Sequence, residues 1–570
     1  MRHSILGASW QVLTPNPAGA AALVEQLGLP PLLAHILATR DIVDPAAADR
    51  FLNPGLDDLH DPLLMRDMPH AVAVLRRALD SKHRIRICGD YDADGVTATA
   101  LLMRALGALG AAVDYYIPHR INEGYGLNIP AVETAARDGV KLLVTVDCGV
   151  SATEPLRRAR ELGLEVIVTD HHDPPAELPP ASAILNPKRA DCPYPFKDLA
   201  GAGVAYKLVS AISSELGVRA GAERAFLDLV AIGTIADVVS LTGENRLLAK
   251  HGLAAMDSTR KQGISALIRA ANIGPPVSSY HIAFGLAPRL NAAGRLDHAQ
   301  AAVTLLLTTE MREAQAIAQR ICTLNAQRQE QELAILRSAE AMVQAEVDLD
   351  HNHLILLASP EWHAGVIGIV ASRLVERYHR PVVLAAVTDS MAKGSARSVR
   401  GFHICDALAR CSSLLSDFGG HALAAGFSIS AHNLDPLRAQ LLDQAATALR
   451  REDLVKRIQL DSWADLPELT LDAITGINAM APFGAGNPRP VIGLRDVEVE
   501  GLSTCGAEGR HLRLNLRRGD AVIGAIMFGG GHLAARLTPG AVVDVCGLPE
   551  IDEWNNKRSV RIKVQDLAVE

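Results

Sequence analysis

Between residues 66 and 305, short apolar runs alternate with longer runs whose apolar residues recur at helical spacing. This alternation predicts a parallel α/β sheet. The clearest strand candidates are Arg84–Cys88, Val113–Ile117, Lys141–Val146 and Glu165–Thr169. Most of them end directly in polar or ionisable residues, and open α/β sheets bind ligands outside the carboxyl ends of their strands. We therefore expect a ligand site along this edge of the sheet.

The segments on either side of this unit show helical patterns. Residues 1–65 predict a helical lead-in that several prolines interrupt. No Gly or Pro lies between Arg295 and Ser359, and Thr308–Val347 within that stretch is rich in Ala, Gln, Glu, Arg and Leu, which favour helices. We expect one or two long helices there, connecting two domains.

The remaining segments predict a second α/β unit and an all-β domain. Residues 348–453 show the order strand, helix, strand, at His353–Ala358, Ala364–Tyr378 and Pro381–Ala386. Residues 454–570 alternate instead, which predicts a small barrel. The side chains expected to point inward are Leu512, Leu514, Leu516, Val560, Ile562 and Val564. The outward basic side chains fit nucleic-acid binding and a solvated face equally well: His511, Arg513, Arg517, Arg561 and Lys563.

Composition limits the class of protein and its compartment. At 570 residues the chain is too long for one core and should form roughly three or four domains. The net charge of −8 argues against non-specific coating of polyanions, so a nucleic-acid ligand would need locally concentrated basic residues. The chain has no C-x-x-C pair, no apolar secretory leader and no apolar run near the roughly 18 residues of a membrane span. We expect a cytoplasmic protein that does not contact a membrane.

The stretch from Arg84 to Leu101 carries the strongest chemical signal. A short apolar strand leads into Asp90, Asp92 and Asp94, followed by a glycine and a helix with an apolar stripe. Carboxylates this close raise one another's pKa, and a divalent cation such as Mg²⁺ or Mn²⁺ removes that cost. An EF-hand calcium loop would need a Glu at its twelfth position, which is Leu101 here. A solvated acidic turn remains the alternative for this stretch alone.

Two further strand candidates end in the same kinds of residue. Asp147 follows the strand at 141–146, whereas Asp170, His171 and His172 follow the strand at 165–169. Taken singly, an Asp at a strand end is more often a helix N-cap, and a lone His is usually structural. Together with the three aspartates above, they place carboxylates and imidazoles on one rim of one domain. This predicts a two-metal centre for phosphoryl hydrolysis, with one carboxylate able to bridge the metals.

The motifs D-Y-D-A-D-G, V-D-C-G and T-D-H-H resemble those of the DHH phosphoesterase superfamily, and G-T-I-A-D-V-V adds Asp237. G-S-A-R-S at 394–398 and G-G-H-A-L-A-A-G at 419–426 resemble the associated DHHA1 substrate-binding domain. Four other motifs extend the resemblance over almost the whole chain: P-H-R-I-N-E-G-Y-G-L-N at 118–128, R-L-N-A-A-G-R at 289–295, P-F-G-A-G-N-P at 482–488 and W-N-N-K-R-S-V-R-I-K at 554–563. With them, the chain resembles the bacterial single-strand-specific 5′→3′ exodeoxyribonucleases of that superfamily. Asn555-Asn556 replaces the Gly expected in a tight turn, and Asn tolerates a positive φ.

This resemblance implies the domain organisation. A DHH catalytic domain over residues 66–305 and a DHHA1 domain over 348–453 would be two α/β domains around a cleft, joined by a connecting helix over 306–347. The lead-in over 1–65 precedes them, and an OB-like nucleic-acid-binding barrel over 454–570 follows.

The resemblance also implies two divalent ions, Mn²⁺ or Mg²⁺, in overlapping ligand sets. One set is Asp94, Asp147, His171 and Asp237, and the other is Asp92 and Asp147, joined by Asp90. Asp147 is then the bridge between the ions. His172 would contact the scissile phosphate, and Asp170 would orient the two histidines. No side chain is needed as the nucleophile.

The substrate-binding residues are carried over in the same way. Arg397 with Ser395, together with Arg120 and Arg289, would bind a terminal 5′-phosphate, because arginine forks suit phosphate oxygens. The remaining candidates are Asn291, Arg295, Gly419, Gly420, His421 and Tyr125. Ordinary ion pairs for Arg120 and Arg289, a plain tight turn for Gly419-Gly420 and a packing role for Tyr125 remain open.

The implied activity is 5′→3′ hydrolysis of single-stranded DNA to mononucleotides, in DNA recombination and repair. The implied partners are single-stranded DNA with a 5′ end, a single-strand-binding protein and a RecQ-type helicase, and the chain is expected to be a monomer. Two alternatives stay open: a phosphodiesterase for short oligonucleotides or cyclic dinucleotides, and a non-catalytic scaffold that binds single-stranded DNA. Relatives of the first kind lack a tail like 454–570, and those of the second kind lose the metal ligands that are all present here.

Overall fold

The computed structural model describes residues 3–120, 122–554 and 557–569, so Asn555-Asn556 lies outside the described residues. An N-terminal segment precedes two α/β units, which one long helix joins, and a barrel follows them. The expected fold class is confirmed. In the described part of the chain, no helix is long and apolar enough to cross a membrane.

The N-terminal segment and the first α/β unit form the elements up to residue 307. In chain order these are β1 His3–Ser4, β2 Ser9–Val12, α1 Pro17–Leu27, α2 Pro31–Thr39, α3 Pro45–Leu52, α4 Met68–Asp80, β3 Arg84–Gly89, α5 Ala93–Ala108, β4 Ala112–Tyr116, α6 Ile129–Arg137, β5 Val140–Val146, α7 Thr153–Glu161, β6 Glu165–Thr169, β7 Ala183–Leu185, α8 Gly201–Glu215, α9 Leu227–Ala236, α10 Gly243–Met256, α11 Gln262–Ala270, α12 Ser279–His281, α13 Ala287–Leu296 and α14 Gln300–Leu307. A single π-helical turn at Ile282–Leu286 links α12 to α13.

The sheet of the first unit is parallel throughout, in the order β4-β3-β5-β6-β7. Strands β3 to β6 begin and end within one residue of those predicted from the sequence, whereas the short edge strand β7 was not predicted. β5 is buried on both faces, as expected for a central strand of a parallel sheet. The chain passes from β3 to β4 on one side and then returns to β5 on the other, so a crevice opens between the carboxyl ends of β3 and β5. The predicted acidic residues Asp90 and Asp147 lie directly after these two strands.

One helix, α15 (Met311–Glu346), connects the two α/β units. Its 36 residues span about 54 Å at 1.5 Å per residue. Ala314, Ala318 and Ile321 belong to the core of the first unit, whereas Ile335 and Val343 belong to a core of the second. The helix therefore fixes the distance between the two units, as the absence of Gly and Pro suggested.

The second α/β unit follows this helix. Its elements are β8 Ile355–Ser359, α16 Ile367–Tyr378, β9 Val382–Val387, β10 Met391–Arg397, α17 Ile404–Arg410, β11 Leu415–Gly420, β12 Ala424–Ser430 and α18 Leu434–Ala448. The sheet order is β11-β12-β10-β9-β8, in which only β8 and β9 are parallel.

The C-terminal part forms a closed five-stranded barrel of the OB type. Its elements are β13 Arg457–Leu460, β14 Ser462–Trp463, α19 Leu471–Ala479, β15 Ile492–Cys505, β16 His511–Arg518, β17 Ala521–Met527, β18 Val542–Trp554 and β19 Lys557–Val569. The ring runs β15-β16-β17-β19-β18 and closes because β18 pairs with β15. All the side chains expected inside are buried except Val560, which is half-buried.

The lead-in differs from the expectation. A helical lead-in was predicted, and three helices form there, but β1 pairs with β19 and β2 pairs with β13, so the segment also adds strands to the C-terminal part. Leu33, Leu37 and Leu52 share one apolar core with the barrel. The sequence pattern could not show this because the partners lie more than 400 residues away. The predicted domain boundaries stay predictions.

Candidate active site

The loop after β3 places two aspartates at the start of α5. Asp92 is the N-cap of that helix, and its Oδ1 accepts hydrogen bonds from the backbone N–H groups of Asp94 (2.9 Å) and Gly95 (3.1 Å). A Cβ on Gly95 would lie 2.6 Å from the carbonyl oxygen of Asp90, so only glycine fits there. Capping uses one oxygen of Asp92 and leaves the other available to a ligand.

Asp94 is buried and faces the N-terminus of a second helix. Its carboxylate accepts hydrogen bonds from the backbone N–H groups of Gly201 (2.6 Å) and Ala202 (2.9 Å), which begin α8. Burial and the charge of Asp92 still raise the pKa of Asp94 to about 7, against the opposing effect of these amides. The amides therefore fix the carboxylate without fully stabilising its charge.

Asp147, His171 and Asp237 complete the cluster from three other elements. Asp147 follows β5 with φ +58°, an unusual conformation for a residue other than glycine. A Cβ on Gly201 would lie 2.8 Å from the Cβ of Asp147, so α8 packs directly against this aspartate. Asp237 caps the C-terminus of α9 and reaches within 3.5 Å of the Nε2 atom of His171, which follows β6.

The side chains form overlapping groups that could each hold an ion. In each group the ligand atoms all lie within 4.8 Å of one another, and the groups are Asp94/His171/Asp237, Asp90/Asp92/Asp147 and Asp147/His171/His172. The buried Oδ1 atoms of Asp90 and Asp147 and the Nε2 atom of His171 have no hydrogen-bond partner in the described structure. Asp147 Oδ1 lies 3.0 Å from His171 Nε2, but without hydrogen-bond geometry. Such convergent unpartnered O and N atoms fit Mg²⁺ or Mn²⁺.

Protonation energetics agree with this fit. Burial and neighbouring carboxylates raise the pKa of Asp90 and Asp147 well above the usual range and that of Asp237 to about 9. Burial and the proximity of His172 lower the pKa of His171 to about 3, so this imidazole is neutral and can act as a ligand. Bound divalent cations would offset the negative charge of the carboxylates and so favour their deprotonated forms. We call Asp90, Asp92, Asp94, Asp147 and Asp237 the carboxylate cluster.

Asp170 lies behind the histidines and orients one of them. Its Oδ1 contacts the Nδ1 atom of His172 at 2.8 Å and accepts the backbone N–H groups of His171 (2.7 Å) and His172 (3.0 Å). Burial would raise the pKa of Asp170, but the His172 contacts lower it overall. Burial likewise opposes the protonation of His172, yet the carboxylate of Asp170 raises the pKa of this imidazole. The pair therefore favours a charged His172 with a defined ring orientation.

Tyr125 and Asn291 contact this site rather than extending away from it. The hydroxyl of Tyr125 donates to the carbonyl oxygen of Asp147 (3.0 Å) and lies 3.1 Å from the Nδ1 atom of His172. Asn291 Oδ1 accepts the backbone N–H of Ala93 (2.8 Å) and so holds the acidic loop. Both residues were expected to bind substrate, and this stays a prediction; in the structure they contact groups around the carboxylate cluster.

Three arginines meet where the two α/β units approach each other. Arg397 on β10 donates to Ser395 Oγ (3.2 Å), and Arg295 donates to the carbonyl oxygen of Gly365 (2.9 Å). Arg120 lies over the ring of Tyr91, 4.8 Å from its centroid. In the described ranges these three arginines, which we call the arginine cluster, form no ion pair with a carboxylate. Burial, followed by repulsion from its neighbours, lowers the pKa of Arg295 to about 9, and burial and Arg120 lower that of Arg397.

The structure places the other candidates at different distances from this cluster. Arg289 donates to the carbonyl oxygen of Gly285 (2.7 Å) and to Cys322 Sγ (3.3 Å), so the expected alternative of an ion pair is absent among the described residues. Gly419 and Gly420 end the edge strand β11 and are exposed, as is His421. Gly419 pairs with Gly426, which pairs with Ser395, so the glycine segment lies about 10 Å from Ser395 across two strand spacings.

Two glycines that the sequence reasoning missed are part of the site. A Cβ on Gly233 would lie 2.3 Å from Asp94 Oδ1, and Gly201 has the close contact with Asp147 described above. Both allow a helix to touch an aspartate. Gly233 begins the G-T-I-A-D-V-V motif, and that position was the available signal.

The parallel sheet, the acidic rim at its switch point and the facing arginines define a DHH-type phosphoesterase. The comparisons agree: the family models described as "DHH family, N-terminal domain", "DHHA1 domain" and "RecJ OB domain" match residues 84–234, 351–447 and 460–566. The chain belongs to the RecJ family. It is 38% identical to "Single-stranded-DNA-specific exonuclease RecJ" of Bacillus subtilis, covering 98% of this chain and 71% of that protein.

Other relatives extend the match. The protein of the same name from Haemophilus influenzae is 38% identical, over 94% of this chain and 95% of its own length. The crystal structure of RecJ from Thermus thermophilus in complex with Mn²⁺ superposes with a TM-score of 0.86 at 35% identity. That match covers 98% of this chain and 79% of the Thermus chain. A second Thermus structure is a complex with Mg²⁺.

Proposed function

We propose that this protein is a single-strand-specific 5′→3′ exodeoxyribonuclease that uses two divalent ions, Mn²⁺ or Mg²⁺, and releases mononucleotides. One observation carries the proposal: overlapping groups of carboxylates and imidazoles converge at the switch point of the sheet, with the ligand atoms of each group within 4.8 Å of one another, and three buried atoms among them (Asp90 Oδ1, Asp147 Oδ1 and His171 Nε2) have no hydrogen-bond partner in the described structure. The full-length similarity to enzymes named single-stranded-DNA-specific exonucleases supports the substrate. A role in DNA recombination and repair goes with that activity.

We assign the ion ligands as the sequence resemblance implied. Asp94, His171 and Asp237 would hold one ion, Asp90 and Asp92 the other, and Asp147, which lies within ligand distance of both groups, would bridge them. When bound, the ions supply Lewis-acid stabilisation of the phosphate charge and lower the pKa of a water molecule. The other steps depend on side chains of this chain.

We propose that His172 contacts the scissile phosphate. The Asp170 carboxylate at its Nδ1 atom keeps the ring oriented and raises its pKa, so a protonated imidazole faces the substrate anion. The hydroxyl of Tyr125 lies at the same Nδ1 atom and links the ring to the backbone of Asp147. Loss of Asp170 should therefore disturb His172 and its neighbours together.

The arginine cluster is our candidate for binding the terminal 5′-phosphate. Ser395 and Arg397 lie against the first turn of α16, because a Cβ on Gly368 would be 2.8 Å from Ser395 Oγ and 3.1 Å from Arg397 Nη2. Helix N-termini attract anions, and arginine forks match phosphate oxygens. Arg289 and the exposed Gly419, Gly420 and His421 remain candidates for the neighbouring backbone.

Base contacts would come from a few exposed aromatic rings. Tyr280 and Phe284 are about two-thirds exposed, and their rings pack against each other at 35° with centroids 4.7 Å apart. Phe284 lines a cleft of about 840 Å³ together with Asn291 and Arg295. On the barrel, Phe528 packs against His511 and Lys563. Arg517 and Arg561, also expected on that face, form ion pairs with glutamates instead. Aromatic platforms flanked by cations suit single strands of any sequence.

A single-strand-binding protein and a RecQ-type helicase are proposed partners, because the enzyme needs an exposed single strand with a free end. We also propose a cytoplasmic monomer. The alternative of a phosphodiesterase for oligonucleotides or cyclic dinucleotides is disfavoured, because the barrel matches the OB domain of the exonuclease family. The non-catalytic scaffold is disfavoured by the complete ligand set.

The direct test uses single strands labelled at the 5′ or the 3′ end and incubated with Mg²⁺ or with Mn²⁺. The expected result is early release of labelled mononucleotide from the 5′ end, with the 3′ label kept in long products. A duplex control should be resistant. Release from the 3′ end, or activity confined to very short or cyclic substrates, would contradict the proposal.

A further inference from the structure

The motif P-F-G-A-G-N-P at 482–488 has no role in the site described above, yet the structure places its tip against the catalytic unit. Gly484 and Asn487 exchange two backbone hydrogen bonds (2.9 and 3.2 Å) and so close a tight turn through Ala485 and Gly486. The buried Asn487 side chain donates to the carbonyl oxygens of Met480 and Pro482, both at 2.9 Å. The tip, residues 484–487, is therefore rigidly held by its own segment.

The tip contacts the backbone that follows Asp237. The backbone N–H of Leu241 donates to the carbonyl oxygen of Ala485 at 2.7 Å. A Cβ on Gly486, which has φ +69°, would lie 2.0 Å from Ser240 Oγ and 3.0 Å from Ser240 Cβ. A Cβ on Gly484 would meet a methyl group of Leu241 at 2.7 Å. Glycine at both positions lets the tip press directly on residues 240–241.

Asp237 depends on its backbone for its position. Within the described residues no side chain or amide donates a hydrogen bond to its carboxylate, in contrast to Asp94 with its two amide donors. The next residue, Val238, has φ +60°, which is strained for a β-branched side chain. Such a conformation persists only where surrounding contacts enforce it. The tip supplies two of those contacts three and four residues after Asp237.

The tip is also attached to the catalytic unit on its flanks. Ser279 Oγ donates to the carbonyl oxygen of Phe483 at 2.7 Å, and the buried guanidinium group of Arg246 donates to that of Met480 at 2.6 Å. These bonds come from α12 and α10, both of which follow the Asp237 turn in the sequence. The tip is therefore fixed relative to the turn.

We propose that the tip 484–487 positions Asp237 and so sets the affinity of the ion that Asp237 shares with Asp94 and His171. The inference rests on the proposed two-ion function. Gly486 and Gly484 are positioning residues, because they act through Ser240 and Leu241 and touch neither ion nor substrate. The C-terminal part then contributes to the metal centre as well as to DNA binding.

The test measures Mn²⁺ binding to the full-length protein without DNA, by calorimetry or electron paramagnetic resonance. Gly486→Ala should weaken one of two sites about tenfold, the lower end of the effect of losing a contact behind a metal ligand. The second site, formed by Asp90 and Asp92, should keep its affinity. Ser240→Gly removes the two atoms closest to the new methyl group and leaves only the Cα of residue 240 at 3.3 Å, so Gly486→Ala/Ser240→Gly should recover most of the lost affinity.

Gly519→Ala is the matched control. Gly519 lies in the same C-terminal part with φ +60°, but a Cβ there meets nothing within 4 Å. The Gly519→Ala variant should have a similar backbone strain but bind Mn²⁺ at both sites with unchanged affinity. Unchanged Mn²⁺ binding in Gly486→Ala, or equal weakening in Gly519→Ala, would overturn the proposal. Because the readout needs no DNA, a failure of the exonuclease assignment would be seen separately in the end-label assay.

Discussion

The carboxylate cluster and the arginine cluster are opposite in charge, and the charged form of each is unfavourable without a bound ligand. Burial and mutual repulsion raise the pKa of Asp94 to about 7 and that of Asp237 to about 9. Burial and neighbouring arginines lower the pKa of Arg295 to about 9, and that of Arg397 also falls. Each set of groups is thus pushed towards its neutral form.

The two clusters lie close together but do not neutralise each other. Arg120 lowers the pKa of Asp90, and Asp92 raises the pKa of Arg295, but both effects are smaller than that of burial. Ion pairs between the clusters are absent from the described part of the chain. A phosphodiester with two cations satisfies both clusters, because the cations offset the carboxylates and the phosphates offset the arginines. The charges of the two clusters therefore indicate their ligands: cations for the carboxylates and phosphates for the arginines.

The largest expected effect is that of removing the bridge. Asp147→Ala should abolish hydrolysis while leaving the fold intact, because neither ion keeps its geometry without this carboxylate. The loss in kcat should exceed the roughly 10–100-fold typical of changes behind the ligands. Asp80→Ala, an exposed aspartate on α4, is the control. Near-normal turnover of the Asp147 variant in saturating Mn²⁺ would refute the bridging role.

The second prediction concerns the carboxylate cluster without its ions. Because the folded-state pKa values of Asp94 and Asp237 lie above the usual 3.8, the folded protein holds protons that the unfolded chain has lost. The free energy of unfolding of the metal-free protein should therefore fall as the pH rises above about 4, until the folded-state pKa values of about 7 for Asp94 and about 9 for Asp237 are passed. Bound ions require deprotonated ligands and should stabilise by about 2.7 kcal/mol per site at a hundred times Kd.

The measurement is Tm with Mg²⁺ and with a chelator at each pH. The difference between the two Tm values should widen as the pH rises. Asp237→Asn should narrow it, because one of the titrating groups is gone. If the Tm difference between the two conditions were the same at low and at high pH, the ions would not be acting on the charge of these carboxylates.

The carboxylate cluster and the neighbouring His171 were predictable from the sequence because their signals are local. Asp90, Asp147 and His171 each follow a strand whose apolar run is unmistakable, and parallel strands end on one edge. Spacing and sheet rules were therefore sufficient to bring them together. Asp237 was the exception, since it ends a helix and was found only through the family motif.

The arginine cluster and the lead-in were less accessible because their partners are distant in sequence. Arg120, Arg295 and Arg397 come from three segments and meet only when α15 sets the approach of the two units. The pairing of β1 with β19 and the contact of Gly486 with Ser240 likewise depend on docking that no periodicity encodes. Tyr125 could be expected near the site, but its hydrogen bond to Asp147 could not.

The third prediction tests the arginine cluster. If Arg397 and Ser395 bind the terminal 5′-phosphate, removing that phosphate should lower kcat/KM of the intact protein roughly tenfold to a hundredfold, since a charge-assisted hydrogen bond is worth about 1.5–3 kcal/mol. Arg397→Ala should cost a similar amount. The two losses should not add, because both delete one contact. A double-mutant cycle with phosphorylated and dephosphorylated strands measures this.

Arg400→Ala is the matched control, because Arg400 is exposed three residues beyond Arg397. It should keep full discrimination between the two strands. Additive losses for Arg397→Ala and phosphate removal would instead place this arginine elsewhere along the DNA backbone. The arginine cluster would then bind the strand without recognising its end.

The smallest expected effect concerns the uncharged surface beside the arginine cluster. Tyr280 and Phe284 expose about two-thirds of their surface next to the cleft that Arg295 lines. If a base stacks there, Phe284→Ala should weaken the binding of a single strand about fivefold, the lower end of the roughly 1–3 kcal/mol per stacked base. Affinity would be measured in the Asp147→Ala background, so that the strand stays intact.

An abasic site moved along the strand locates the stacked base. At one position, the abasic site should lower the affinity of the protein that retains Phe284 about fivefold. At that same position it should not lower the affinity of the Phe284→Ala variant any further, because the stacking contact is already lost. Phe284→Tyr should retain the sensitivity, whereas Leu162→Ala, which truncates an exposed leucine after α7, should not change it. If no abasic position distinguishes the two proteins, the strand is bound through its phosphates alone, and the complementarity of the two charged clusters accounts for recognition without a stacking contact at Phe284.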